Sequence, residues 1–107
     1  MSVKDINSDE FKKEVIKHKG VVLVDFYAKW CGPCQIMAPI IDNLSEEIKD
    51  VNFVKVDVDE NGDLASEHSI SSIPSFYIFK DGKVTSQLLG VKSKEDMIEE
   101  INKVKKD

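Results

Sequence analysis

The run Val21–Tyr27 constrains the fold more than any other segment, because it is apolar at every position except Asp25. A strand with consecutive apolar and β-branched residues is typical of a largely parallel sheet whose two faces are both covered by helices. Strand-like and helical patterns alternate along the rest of the chain. The sequence therefore predicts an α/β fold, with a central mixed β-sheet flanked by helices on both faces.

Four further strands are expected, and the last two flank Asp81-Gly82, a strong signal for a β-hairpin turn. These segments are Val3–Ile6 at an edge, Phe53–Val58, Ser75–Phe79 and Val84–Leu89.

Four helices complete the predicted order βαβαβαββα. The first follows a capping box of Asn7 and Glu10 and ends at Gly20. Its buried stripe is expected to contain Phe11, Val15 and Ile16. The other three are Cys34–Lys49, Asp63–His68 and an amphipathic helix capped by Ser93 that carries Met97, Ile98, Ile101 and Val104.

The length of 107 residues fits one domain, spanning residues 1–107. The net charge of −5 argues against nucleic acid as the main partner. All basic residues are lysine, so two-pronged guanidinium recognition of phosphate or carboxylate is excluded. The first residues do not resemble an export signal, and no apolar run approaches the roughly 20 residues of a transmembrane helix. We expect a cytoplasmic monomer without membrane contact.

The two cysteines, Cys31 and Cys34, lie between a buried strand and the start of a helix. Residues three apart at a helix start share one side, so their sulfurs can form a disulfide. The helix dipole and free N–H groups stabilise a thiolate there. Because Cys34 extends the apolar stripe of its helix, we expect it to face inward. Cys31 is then the exposed nucleophile, and Cys34 is the resolving thiol.

Other roles for this pair are weaker. A purely structural disulfide closing so short a loop contributes only about 2 kcal/mol. A metal site needs more than two thiols, and the histidines His18 and His68 are expected at the surface of other segments. Two inert core thiols are disfavoured because Gly32-Pro33 between them predicts an exposed turn. No metal site is predicted.

The cysteines lie in Trp30-Cys31-Gly32-Pro33-Cys34, with Val24–Ala28 before it and Ala38-Pro39 after it. Three further motifs follow in the chain: Lys55–Asp59, Ser72–Ser75 and Phe79–Gly82. In this order and spacing, the motifs resemble the thioredoxin family over nearly the whole chain. The chain departs from the commonest family pattern at Tyr27, where tryptophan is frequent, at Gln35, where lysine is frequent, and at Ser71-Ser72. The resemblance implies a thioredoxin-like fold and a redox-active cysteine pair, with Gly32 and Pro33 as supporting residues.

Asp25 and Lys55 each interrupt an apolar strand, and charged residues are rarely buried without a partner. We therefore expect them to approach each other on neighbouring strands. Burial should raise the pKa of Asp25, whereas a nearby Lys55 ammonium should lower it. The family resemblance implies that Asp25 lies beneath Cys34 as a proton acceptor and donor. A structural ion pair without chemistry is the alternative.

Pro74 precedes a predicted strand, which by itself indicates only a turn or strand start. The resemblance implies a cis Ile73–Pro74 bond against the cysteines, leaving the Ile73 backbone free to pair with an extended substrate. The same resemblance implies a flat apolar patch that receives protein substrates. Its residues are Trp30, Ile73, Pro74, Gly90 and Val91.

Together these features predict a protein-disulfide reductase that uses Cys31 and Cys34, helped by Asp25 and supported by Lys55 and Pro74. Its partners would be disulfide-containing proteins and a thioredoxin reductase that returns electrons, so no bound cofactor is expected. Two alternatives remain open. One is a disulfide-forming or isomerising enzyme, and the other is a redox-inert module that binds a larger enzyme through the apolar patch.

Overall fold

The computed structural model describes residues 3–107. Its strands are β1 Val3–Asp5, β2 Val21–Tyr27, β3 Val51–Asp57, β4 Ser75–Lys80 and β5 Lys83–Leu89. Its helices are α1 Ser8–Phe11, which continues as a π-helix over Lys12–Ile16, and then α2 Gly32–Glu47, α3 Gly62–Glu67 and α4 Lys94–Lys106. The predicted order of elements is confirmed.

The strands form one five-stranded sheet in the order β1-β3-β2-β4-β5. Strands β1, β3 and β2 are parallel, whereas β4 is antiparallel to β2 and β5 is antiparallel to β4. At the β4–β5 turn, Asp81 and Gly82 have positive φ angles of 50° and 84°. Such angles are those required by tight hairpin turns, which is why the Asp-Gly pair predicted this connection.

Successive side chains of β2 point to opposite faces of the sheet, and each face has its own core. Val21 and Leu23 pack with residues of α2 and α4, including Met37 and Met97. On the other face, alternating β2 residues pack with α1, the π-helix and α3; they are Val22, Val24 and Phe26. Helices therefore cover both faces, and the predicted thioredoxin-like α/β fold is confirmed.

The expectation that Ile16 is buried is wrong, since 40% of its surface is exposed. Phe11 and Val15 are buried as predicted. The difference arises because the chain over Lys12–Ile16 widens into a π-helix, in which the Lys17 N–H donates to the Lys12 carbonyl at 2.8 Å. A wider turn rotates the following side chain away from the stripe expected for 3.6 residues per turn.

His68, expected at the surface, is half-buried, because one side of its ring packs on aromatic side chains. Its ring lies 5.2 Å from Phe11 and 5.6 Å from Phe26, measured between ring centroids, and it also contacts Tyr77 and Phe79. Its Nδ1 lies 2.8 Å from the carbonyl oxygen of residue 64, which satisfies one ring nitrogen. His18 is half-buried as well. An aromatic ring can cover a core edge with one face while a nitrogen bonds to the backbone.

Candidate functional site

Cys31 and Cys34 form a disulfide, with their Cα atoms 5.2 Å apart. Strand β2 ends at Tyr27, and a short loop places Cys31 as the N-cap residue of α2. Gly32 and Pro33 begin the helix and are exposed, and proline is well suited to this position because the first turn has no intrahelical N–H bonds to lose. The sulfur of Cys31 accepts a hydrogen bond of 3.1 Å from the Cys34 N–H. Cys31 therefore lies at the N-terminus of α2, where the sequence placed it.

The prediction that Cys31 is exposed is wrong. Only 3% of Cys31 and 6% of Cys34 is accessible to solvent, so burial does not distinguish the two residues. The covering comes from a loop distant in sequence: the Cys31 sulfur lies 3.9 Å from the Ile73 carbonyl oxygen. Val58 and Ile73 pack on the same cluster as the cysteines. Helix periodicity describes only the helix itself and carries no information about such a loop.

The Ile73–Pro74 peptide bond is cis, as the family resemblance implied. Pro74 is buried, and its carbonyl oxygen accepts a hydrogen bond of 2.9 Å from the Gly90 N–H. This bond joins two of the predicted patch segments, 73–74 and 90–91. Val91 follows directly and is exposed.

Trp30 is the most exposed large apolar residue beside the cysteines, at 71%. Its indole Nε1–H donates a 2.7 Å hydrogen bond to an Asp59 carboxylate oxygen, so the ring has a fixed orientation. Between Trp30 and Ile73 lies an open groove of about 270 Å³. It is further lined by Val58, Ala65, Ile70, Ser71 and Ser72, none of which was predicted to belong to the patch.

Asp25 is buried, as expected, and its Oδ1 has no hydrogen-bond partner within residues 3–107. Burial raises the pKa of Asp25 to about 7, and the Lys55 ammonium opposes that rise. Lys55 lies directly opposite Asp25 in the parallel pairing of β2 and β3. Its Nζ is 5.4 Å from the centre of the Tyr27 ring. The two charged residues are neighbours, as predicted, but no salt bridge within 4 Å joins them in the described part of the chain.

A cavity of about 200 Å³ brings Asp25, Lys55 and Cys34 together. Its remaining lining is Tyr27, Ala28, Lys29, Gln35 and Ala38. A carboxyl group that titrates near neutral pH can either accept or donate a proton there. The arrangement thus combines a disulfide at a helix N-terminus with a group able to carry a proton in the same cavity.

Comparison with known proteins agrees with this geometry. The Thioredoxin family matches residues 2–103. The chain belongs to the thioredoxin family. It is 42% identical over 100 residues to thioredoxin of Rickettsia felis, an alignment that covers 92% of this chain and 95% of the relative. It is 43% identical over 101 residues to thioredoxin of Chlamydia pneumoniae, covering 94% and 97%.

A chloroplastic M-type thioredoxin of Chlamydomonas reinhardtii is 41% identical over 99 residues, covering 92% of this chain and 71% of the relative. Thioredoxin-family membership and the Cys31–Cys34 disulfide together make this protein a thiol–disulfide oxidoreductase, specifically a protein-disulfide reductase.

No helix within 3–107 is long and apolar enough to cross a membrane. The same residues contain no group of three or more histidine, cysteine, aspartate or glutamate side chains arranged to hold a metal ion.

Proposed function

We propose that this protein reduces disulfide bonds of cytoplasmic proteins by dithiol–disulfide exchange and is recharged by a thioredoxin reductase. The reaction needs no bound cofactor, because the cysteine pair itself carries the two electrons. The protein acts as a monomer. Cytoplasm is the compartment in which protein thiols are kept reduced, so a reductase has substrates to maintain there.

The hydrogen bond from the Cys34 N–H to the Cys31 sulfur is the observation that carries this proposal. A backbone donor at a helix N-terminus stabilises negative charge, and the thiolate is the form that attacks a disulfide. Cys31 is therefore the nucleophile. Cys34 has no such donor from its own helix directed at its sulfur within the described residues.

In the first step, the Cys31 thiolate attacks one sulfur of the substrate disulfide. A mixed disulfide forms and the other substrate sulfur leaves as a thiolate. In the second step, Cys34 gives its proton to Asp25 and attacks the Cys31 sulfur, which releases the second substrate thiolate. The substrate disulfide has gained two electrons, and Cys31–Cys34 is left oxidised. Asp25 then passes its proton to the released thiolate or to water.

The apolar surface around the disulfide supports binding of an extended protein segment. Trp30 and Val91 are exposed, and so are Gly32 and Pro33, which separate the two cysteines along the chain. The backbone of Ile73 lies next to the Cys31 sulfur, where a substrate strand would pair with it. Since the protein lacks arginine, recognition depends on apolar contact and backbone hydrogen bonds.

Reduction of insulin with dithiothreitol as the electron source tests the proposal. We expect the wild-type protein to accelerate precipitation of the insulin B chain, and a variant with both cysteines changed to serine to give only the background rate. Equal rates for these two proteins would show that the cysteine pair does not carry electrons to protein disulfides.

A further inference from the structure

Tyr27 belongs to a row of polar side chains on the sheet face that α2 covers. Asp5, Lys55 and Asp25 are in register across β1, β3 and β2, so their side chains lie side by side. Tyr27 follows Asp25 by two residues on the same strand and therefore points to the same face. The row places one ammonium between two carboxyl groups and beside one aromatic ring.

The Lys55 ammonium lies over the Tyr27 ring, 5.4 Å from its centre. An ammonium within about 6 Å of a ring centre is attracted by the electrons of the ring face. Within residues 3–107, Lys55 makes no salt bridge, although Asp25 is directly opposite. The buried Oδ1 of Asp25 correspondingly has no hydrogen-bond partner there.

The orientation of the Tyr27 ring is fixed from its far end. The phenol O–H donates a 2.8 Å hydrogen bond to a carboxylate oxygen of Asp5. Burial and this hydrogen bond raise the pKa of Tyr27 above its ordinary value, so the phenol remains a donor at any working pH. Asp5 is thereby bonded to Tyr27 rather than to Lys55.

We propose that Tyr27 is a positioning residue whose ring, anchored by Asp5, holds the Lys55 ammonium out of direct contact with Asp25. Asp25 then stays unpaired and free to exchange a proton with Cys34. This inference rests on the proposed role of Asp25 in the second step of disulfide reduction. A closed Lys55–Asp25 ion pair would favour the ionised carboxylate and weaken it as a proton acceptor.

The other charged groups facing Asp25 do not perform this task. Asp42 on α2 and Asp5 on β1 both raise the pKa of Asp25, as negative charges do. On β4, the residue opposite Asp25 is the uncharged Phe76.

Lys29 also lines the cavity, but acidic side chains already bind its ammonium. It lies 3.0 Å from a Glu60 carboxylate oxygen and 3.9 Å from one of Asp57. Lys55 is therefore the cation whose position determines how strongly the ionised form of Asp25 is favoured over the protonated form.

The test follows the titration of the Asp25 carboxyl carbon by ¹³C NMR in the oxidised protein, in which the cysteines do not titrate. The Asp25→Asn variant identifies the resonance. Tyr27→Met replaces the ring with an apolar chain that fills similar space but has no ring face. We expect the Asp25 titration midpoint to fall by about one pH unit, as an opposite charge closing to contact lowers a carboxyl pKa by roughly 1–3 units.

The same substitution in a Lys55→Met background separates positioning from hydration of the cavity. If Tyr27 acts through Lys55, the double variant should titrate close to Lys55→Met alone, and its midpoint should lie above that of the wild type. An unchanged or raised midpoint in Tyr27→Met overturns the proposal. A fall of equal size in both backgrounds also overturns it, because Lys55 would then not be involved.

Tyr77→Phe is the matched control, since it removes a phenol hydrogen bond on the opposite sheet face, from Tyr77 to the His68 carbonyl. Its Asp25 titration should equal that of the wild type. Because the titration requires no turnover, it tests the positioning role of Tyr27 independently of the disulfide-reductase activity. If the wild-type protein does not accelerate insulin reduction, the proposed function is contradicted, whereas the titration result still stands.

Discussion

The backbone N–H of Cys34 donates a 3.1 Å hydrogen bond to the sulfur of Cys31, so this sulfur caps the helix that begins at Gly32. The interaction makes the two cysteines chemically unequal although both are buried. In the proposed mechanism the Cys31 thiolate would keep this backbone donor, whereas Cys34 lines the cavity that contains Asp25.

Asp25 should make the oxidised protein less stable as the pH rises. Its pKa is about 7 in the folded protein against 3.8 in an unfolded chain, so the folded state holds this proton more tightly. The associated stability is fully present below pH 3.8 and is lost as the pH rises through about 7. At pH 8 the Asp25→Asn variant should therefore exceed the wild type by up to about 4 kcal/mol in unfolding free energy.

Urea unfolding of both oxidised proteins at pH 4 and pH 8 measures this effect. The stability advantage of Asp25→Asn should be several-fold larger at pH 8 than at pH 4. An advantage independent of pH would mean that Asp25 has an ordinary pKa in the folded state.

Trp30→Ala should impair substrate reduction without loosening the fold. The ring is mostly exposed, so its removal leaves the core intact. An aromatic anchor at an interface contributes upward of about 1 kcal/mol to binding, which corresponds to at least about a fivefold fall in kcat/KM. Val84→Ala is the control, because Val84 is also exposed but lies at the start of β5, next to the β4–β5 turn. Equal kcat/KM values for the two variants would show that Trp30 does not contribute to substrate binding.

Gly82→Ala should destabilise the protein strongly. The residue has φ +84°, and an added Cβ would lie 2.2 Å from the Ile16 carbonyl oxygen. Backbone strain and the forced movement of the first helix together should cost about 3 kcal/mol or more. Gly20→Ala is the matched control, since Gly20 has φ +98° but open space around it.

Gly20→Ala should lower the free energy of unfolding only through backbone strain, by about 1–2 kcal/mol. Thermal and urea unfolding of the two variants should rank Gly82→Ala as the less stable. The reverse order would contradict the close contact between the turn and the π-helix.

The strands and helices could be predicted because their signals are local. Val21–Tyr27 is a strand at the predicted bounds, and Asn7 and Glu10 form the predicted capping box. Asp25 could be singled out because a charge in an apolar strand is conspicuous. Its nearness to Lys55 could be predicted because Lys55 is a charge of opposite sign that interrupts the neighbouring apolar strand.

The features that could not be predicted arise from contacts between distant segments. The burial of Cys31 depends on the loop at Ile73, 42 positions later in the chain. The π-helix that exposes Ile16 ends where the β4–β5 turn packs against it. The Tyr27–Asp5 hydrogen bond joins β2 to the opposite side of β3, which no periodicity indicates.

The most direct test of the account is to trap the mixed disulfide. The Cys34→Ser and Cys31→Ser variants are each incubated with a disulfide-bonded protein, quenched with acid and analysed by intact mass spectrometry. We predict a stable covalent adduct with Cys34→Ser, linked through Cys31, and at most a small fraction of that adduct with Cys31→Ser. Equal adducts, or an adduct only through Cys34, would contradict the assignment of Cys31 as the nucleophile.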